Sequence, residues 1–202
     1  MKKFLLRKNP TDTFSAAMLA AALLFYLFFA CWDGPFLTSD SPTYIGMYLQ
    51  REPLYPLFLA FFRWLVPGGT FREFPLWMQV AIMGQAVLTA LAAWSLPRFL
   101  YHRLHLPKFV ALALLCMPFA VSLLTRFGVG RQSLYSNSIL SEALAIPLYL
   151  LLLRFLFSYL VDGAGKDLFC SCLLSFLMIS TRKQMIVSLL LIVLVLLYKG
   201  LR

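Results

Sequence analysis

Side chains able to do acid–base or anion chemistry are few in these 202 residues: eight Asp+Glu, two His and four Cys stand beside 18 Lys+Arg. Asp40 lies in Ser39-Asp40-Ser41-Pro42, where capping oxygens precede a proline at an early helical position, so its carboxylate sits at a helix start that favours the ionised form. Such a carboxylate serves as a general base or as a ligand for a divalent cation; the alternative is that it only caps the helix. Glu142 is embedded in Ile139-Leu140-Ser141-Glu142-Ala143-Leu144, where an ionisable group is costly and marks function. Its alternative is an interfacial glutamate paired with Arg126 or Arg131. Arg182 and Lys183 interrupt an apolar stretch and either meet an anion or form a snorkelling turn between two short helices.

The remaining candidates are weaker. His102 and His105 are three apart but have no acidic or thiol neighbour, which reads as a solvated basic loop. Cys31, Cys116, Cys170 and Cys172 fall in or beside apolar runs as small hydrophobes, and Cys170 and Cys172 point about 200° apart on a helix, too far round to share a metal. No phosphate-binding glycine loop, His-Glu-x-x-His pair or Gly-x-Ser-x-Gly elbow is present.

The elements that position these residues follow from composition. With 61% hydrophobic and 13% charged residues and a mean hydropathy of +0.82, the chain has more apolar surface than one soluble core of this size hides. Soluble enzymes, disordered tails and nucleic-acid modules are thereby excluded; the partner is the lipid bilayer. Only helices and closed barrels satisfy their backbone in lipid, so the fold class is all-α, a polytopic helical bundle forming a single membrane domain over 1–202. The apolar runs predict about six spans, near 14–32, 75–96, 109–124, 139–161, 168–180 and 185–198, with Pro118 as a kink. A basic N-terminal segment precedes the first, which reads as a retained span.

Sorting the cations places 11 on the side of the N-terminus and seven on the other, which supports a cytoplasmic N-terminus. The seven, Arg51, Arg63, Arg72, Arg126, Arg131, Arg182 and Lys183, are nearly all arginine, the residue that forks onto phosphate or carboxylate. A long outer loop, 33–74, joins the first two spans. It predicts two short helices along the membrane surface, one over 43–50 and one over 57–66.

Together these residues resemble a known family. Thr38-Ser39-Asp40-Ser41-Pro42-Thr43-Tyr44-Ile45 with Arg51-Glu52-Pro53-Leu54-Tyr55-Pro56-Leu57-Phe58-Leu59 is similar to the first extracytoplasmic loop of GT-C fold glycosyltransferases, such as protein O-mannosyltransferases and lipid A aminoarabinose transferases. Ser141-Glu142-Ala143-Leu144 resembles the acidic opening of that family's fourth span, and Thr181-Arg182-Lys183-Gln184 its basic turn between the fifth and sixth. The resemblance implies sugar transfer from a polyprenyl-phosphate donor to an acceptor outside a bacterial inner membrane. It implies Asp40 as general base or metal holder and Glu142 as a second acid, with a divalent metal ion as the only cofactor considered. Arg51, Arg131, Arg182 and Lys183 would bind the lipid-linked sugar phosphate, Tyr44 and Tyr55 would stack on the sugar, and the helix from Leu57 would wall a groove for the polyprenyl tail. Family members usually carry more spans. The expectation is therefore a truncated or split transferase, a short relative needing a partner membrane subunit, or a chain without catalysis; a non-catalytic subunit, small transporter or envelope-assembly protein that binds anionic lipid is the competing reading.

Overall fold

The computed structural model describes residues 13–128 and 133–201. Helix makes up 78% of it, and the fold is an all-α helical bundle. The order is α1 (Thr13–Asp33), α2 (Ser41–Ile45), α3 (Leu54–Leu65), a hairpin of β1 (Thr70–Phe71) and β2 (Phe74–Pro75), α4 (Leu76–Arg103), α5 (Lys108–Gly128), α6 (Glu142–Asp162), α7 (Gly165–Thr181) and α8 (Val187–Gly200). Single 3-10 turns at Tyr135–Asn137 and Lys183–Ile186 precede α6 and α8. Among the described residues, five helical stretches are long and apolar enough to cross a membrane: α1, α4, α5, α6 and the run Lys183–Gly200. Large apolar side chains such as Phe28, Trp32, Phe109, Phe127 and Phe157 are exposed on them. Soluble surfaces do not tolerate so many, and a lipid environment accounts for them.

Helix α4 is the axle of the bundle, packed by α1, α3, α5 and α6. Its contact with α1 uses small residues. Met18, Ala22, Tyr26 and Ala30 recur every four positions on one stripe of α1, and Ala81, Ala86, Ala90 and Ala93 are buried on α4. In lipid, where apolar burial between helices gains little, such close backbone approach supplies dispersion contacts. By contrast α5 buries only Ala111 and Leu115, and α8 only Ser188 and Ile192. Those two helices form the bundle's periphery.

Gly84 opens α4 to α3. A Cβ there would stand 2.8 Å from Phe62 Cζ. Gly84→Val is expected to lower stability by about 1–3 kcal/mol through overpacking, read as an earlier thermal transition in detergent; an unchanged transition would show that α3 yields freely.

Boundaries differ from the sequence-based expectation where packing overrides local signals. Helix α4 continues through Pro97 to Arg103 instead of stopping at residue 96, because Trp94 donates to the Ser15 carbonyl at 2.9 Å and Tyr101 packs on Phe14. His102 is therefore helical, and only His105 lies in the connector. The first loop helix is Ser41–Ile45, ended by Gly46, not 43–50, and the second begins at Leu54 instead of 57. Helix α6 opens at Glu142 because 139–141 pairs with the first loop instead. Phe36 and Ser138 form a parallel bridge, in which Phe36 N–H donates to the Asn137 carbonyl (2.9 Å) and Ile139 N–H to the Phe36 carbonyl (3.0 Å). The chain reverses at Arg182, whose extended backbone separates α7 from the turn before α8. Ser175 and Ser188 hydrogen-bond across the two arms.

The cations sort onto two ends. Arg51, Arg63, Arg72, Arg126, Arg182 and Lys183 gather where α1 ends and α6 begins; Arg98, Arg103, Lys108, Arg154, Lys166 and Lys199 gather where α1 begins. Arg154 sits 3.9 Å from Asp167 and over the rings of Phe99 and Phe155.

Candidate functional site

The first loop is held against the segment before α6 by side chains on short elements. Ser41 accepts from Thr38 N–H at 2.8 Å and donates to the Ile139 carbonyl at 2.9 Å. Asn137, fully buried, donates to the Phe29 carbonyl at the end of α1 at 2.9 Å. These bonds satisfy irregular backbone that sits among helix ends, which is tolerated only when protein groups replace water.

Tyr55 is the pin between loop and bundle. It is 0% exposed, donates to the Ser138 carbonyl at 3.3 Å and accepts from Gln85 Nε2 at 2.8 Å. Burial pushes its hydroxyl far above the usual tyrosine range, so it stays protonated and keeps donating. Tyr55→Phe would strand Gln85 and the Ser138 carbonyl, with an expected loss of about 1–3 kcal/mol in stability measured by thermal or denaturant unfolding. Tyr44 stands edge to face with Tyr55 at a centroid distance of 5.3 Å, and it too is buried. Neither ring offers a face to a sugar. Stacking by Tyr44 and Tyr55 is therefore replaced by a positioning part, because both rings are consumed in holding the loop.

Asp40 is not a side-chain cap. Its carboxylate makes no capping bond to α2 and instead meets Arg51 Nη2 at 2.8 Å, leaving the side chain 55% exposed. Arg51 is held by three contacts: Nε donates to Thr43 Oγ1 at 2.8 Å, Nη1 to Tyr44 Oη at 3.4 Å, and Cζ lies 4.7 Å from the Tyr44 ring centroid. From there a polarised chain runs inward. Ser141 donates to Glu142 Oε2 at 3.2 Å, so its hydroxyl must accept from Tyr44 Oη, 3.0 Å away. The direction of every bond is thereby set, from Arg51 through Tyr44 and Ser141 to Glu142. Glu142 also forms an ion pair with Arg182, and Arg182 donates to Gln184. The alternative reading of Glu142 pairs it with Arg126 or Arg131. Arg126 instead grips Asp33 with a two-pronged pair, 2.6 and 3.2 Å, and Arg131 lies outside the described residues.

Lys183 is largely exposed, and its ammonium lies 3.7 Å from Glu52. Three segments distant in the chain thus supply one cluster: Asp40, Tyr44, Arg51 and Glu52 from the first loop, Ser141 and Glu142 from the start of α6, and Arg182 and Lys183 from the turn before α8. Three cations balance three carboxylates, so the cluster has little net field. An anion gains there by taking over Arg182 or Lys183 from a carboxylate partner.

Asp40 and Glu142 each face an arginine, and among the described residues no three His, Cys, Asp or Glu side chains converge. A divalent cation would compete with a guanidinium at either one. Sequence reasoning missed Ser141, Thr43 and Glu52 as members of the network, because Ser and Thr carry no signal without a partner. Only Ser141, adjacent to Glu142, was open to inference. The surface of α3 is amphipathic, with Phe58 and Phe62 packed inward and Leu57, Phe61 and Trp64 exposed three and four positions apart. Compared with known proteins, the chain matches no family model, no curated protein and no solved structure.

Proposed function

We propose that the chain acts in the transfer of a sugar from a polyprenyl-phosphate donor to an acceptor at the extracytoplasmic surface of the membrane. The observation that carries this reading is the convergence of Asp40, Glu142 and the Arg182-Lys183 turn from three separate segments at one end of the bundle. Asp40, exposed and oriented by Arg51, accepts the proton of the acceptor hydroxyl. Lys183 and Arg182 take the donor phosphate and stabilise the negative charge that grows on it as the sugar leaves. Glu142, released by Arg182 when phosphate arrives, stays hydrogen-bonded to Ser141. Exposed Leu57, Phe61 and Trp64 on α3 provide an apolar surface for the prenyl tail.

A second reading is favoured by the ion pairing itself. Both candidate carboxylates already have arginine partners, which suits a non-catalytic membrane subunit in which the cluster only locks the loop. The test is reconstitution of the purified protein in vesicles with a panel of radiolabelled polyprenyl-phosphate sugars and hydroxyl acceptors. Transfer by the wild type, reduced about 10- to 100-fold in Arg182→Gln/Lys183→Gln at equal incorporation, is the expected result. Absence of transfer across the panel, or full activity of that variant, rejects the catalytic reading.

A further inference from the structure

We infer that the end of the bundle opposite Asp40 carries a separate binding site for a phosphate-bearing group. Helices α1 and α6 pack on α4 rather than on each other, and their ends part over the last turns of α4. The space between them is a cavity of about 900 Å³, walled by α1, α4, α6 and the first residues of α7. Ser15 and Leu19 line one side; Arg154 and Ser158 line the other.

Four cations, Arg98, Arg103, Arg154 and Lys166, and two carboxylates, Asp162 and Asp167, line this space, with His102 beside them. The carboxylates are committed. Asp162 takes Arg103 through both oxygens, at 2.6 and 3.3 Å. Asp167, 5% exposed, accepts from Ser158 at 2.8 Å and stands 3.9 Å from Arg154. Arg98 and Lys166 have no carboxylate partner among the described residues. Arg98 lines the cavity with its guanidinium carbon 4.5 Å from the Trp94 ring centroid, a cation–π contact that restrains the side chain without using its N–H groups. Trp94 is itself tied to α1 through its bond to the Ser15 carbonyl. Arg98 from α4 and Lys166 from the start of α7, beside apolar Leu19 and Phe99 in the same lining, match an anionic head joined to an apolar body.

The shared chemistry is a phosphate, supplied by an anionic lipid headgroup or by free phosphate. The site stands on residues separate from the proposed transferase cluster and does not depend on that reading. The experiment uses the full chain in micelles doped equally with phosphatidylglycerol and phosphatidylcholine, with bound lipid counted by native mass spectrometry, and a parallel thermal-shift series with millimolar inorganic phosphate. Arg98→Gln/Lys166→Gln is compared with the charge-preserving Arg98→Lys/Lys166→Arg and with Arg63→Gln at the other end. The expected result is preferential retention of phosphatidylglycerol, lowered about 30-fold in the Gln double variant and kept in the other two. A thermal shift by phosphate, lost in the same variant without lipid preference, assigns the site to free phosphate and equally supports the inference. Equal retention of both lipids with no phosphate shift overturns it, as does a Gln double variant that behaves as wild type. The charge-preserving pair settles the matter if the Gln variant does not fold, since loss of all phosphate preference there would point to packing instead of charge.

Discussion

On the proposed transferase reading, replacing Asp40 with asparagine is expected to reduce sugar transfer by about 10²–10⁴-fold while leaving insertion and thermal stability nearly unchanged. The expectation follows from two features of its setting. The carboxylate is more than half exposed, so losing its charge removes no buried partner, and its pair with Arg51 is of the exposed kind that contributes about 0–1 kcal/mol. Arg51 keeps its bond to Thr43 and its place over the Tyr44 ring in the variant. Activity and stability should therefore part company. A structural Asp40 would move the two together, and full retained transfer in Asp40→Asn would remove the residue from the proton path.

Arg126→Met is the second large effect, and it acts on folding. The Asp33 side chain is only 4% exposed and Arg126 16%, so the pair at the end of α1 is desolvated. Removing the guanidinium leaves a buried carboxylate, which costs about 3–5 kcal/mol in such settings; proximity of Arg72 to Asp33 argues for the lower end, about 3 kcal/mol. Arg72 also donates to the carbonyls of Trp32 and Cys31 at 2.9 and 3.2 Å, so the last turn of α1 has a second clasp. The double variant Asp33→Leu/Arg126→Met should recover most of the loss, because apolar replacement of a whole buried pair is often neutral. Unfolding in a detergent series would measure both. A double variant as unstable as the single one would show that Arg126 works through its packing on Phe29 and Phe127, not through Asp33.

The convergence at the Asp40 end was only partly legible beforehand. Asp40, Glu142 and Arg182 stood out one by one, because a charge in or beside an apolar run is costly wherever it ends up. Their pairing was not legible. In sequence Glu142 has Arg126 and Arg131 nearer to it, yet its ion pair is with Arg182, forty residues further along the chain. The tyrosines illustrate the opposite error. An aromatic in a loop suggests a ligand platform, yet Tyr44 and Tyr55 are buried because the loop folds back over the end of the bundle and needs rings to fill it.

By itself the sequence determined that this is an all-α chain for an apolar surrounding, with helices near the six apolar runs and cations segregated by turn. Those properties are local: the length of an apolar run and the cost of unpaired backbone in lipid do not depend on distant residues. Only the tertiary structure decided which carboxylate meets which arginine, that α4 runs through Pro97, that 139–141 pairs with the first loop instead of extending α6, and that a cationic cavity opens between α1 and α6. Each of these depends on groups far apart in the chain being brought within a few ångströms, and the energy that selects one such partner over another comes from desolvation and packing that exist only once the helices have assembled.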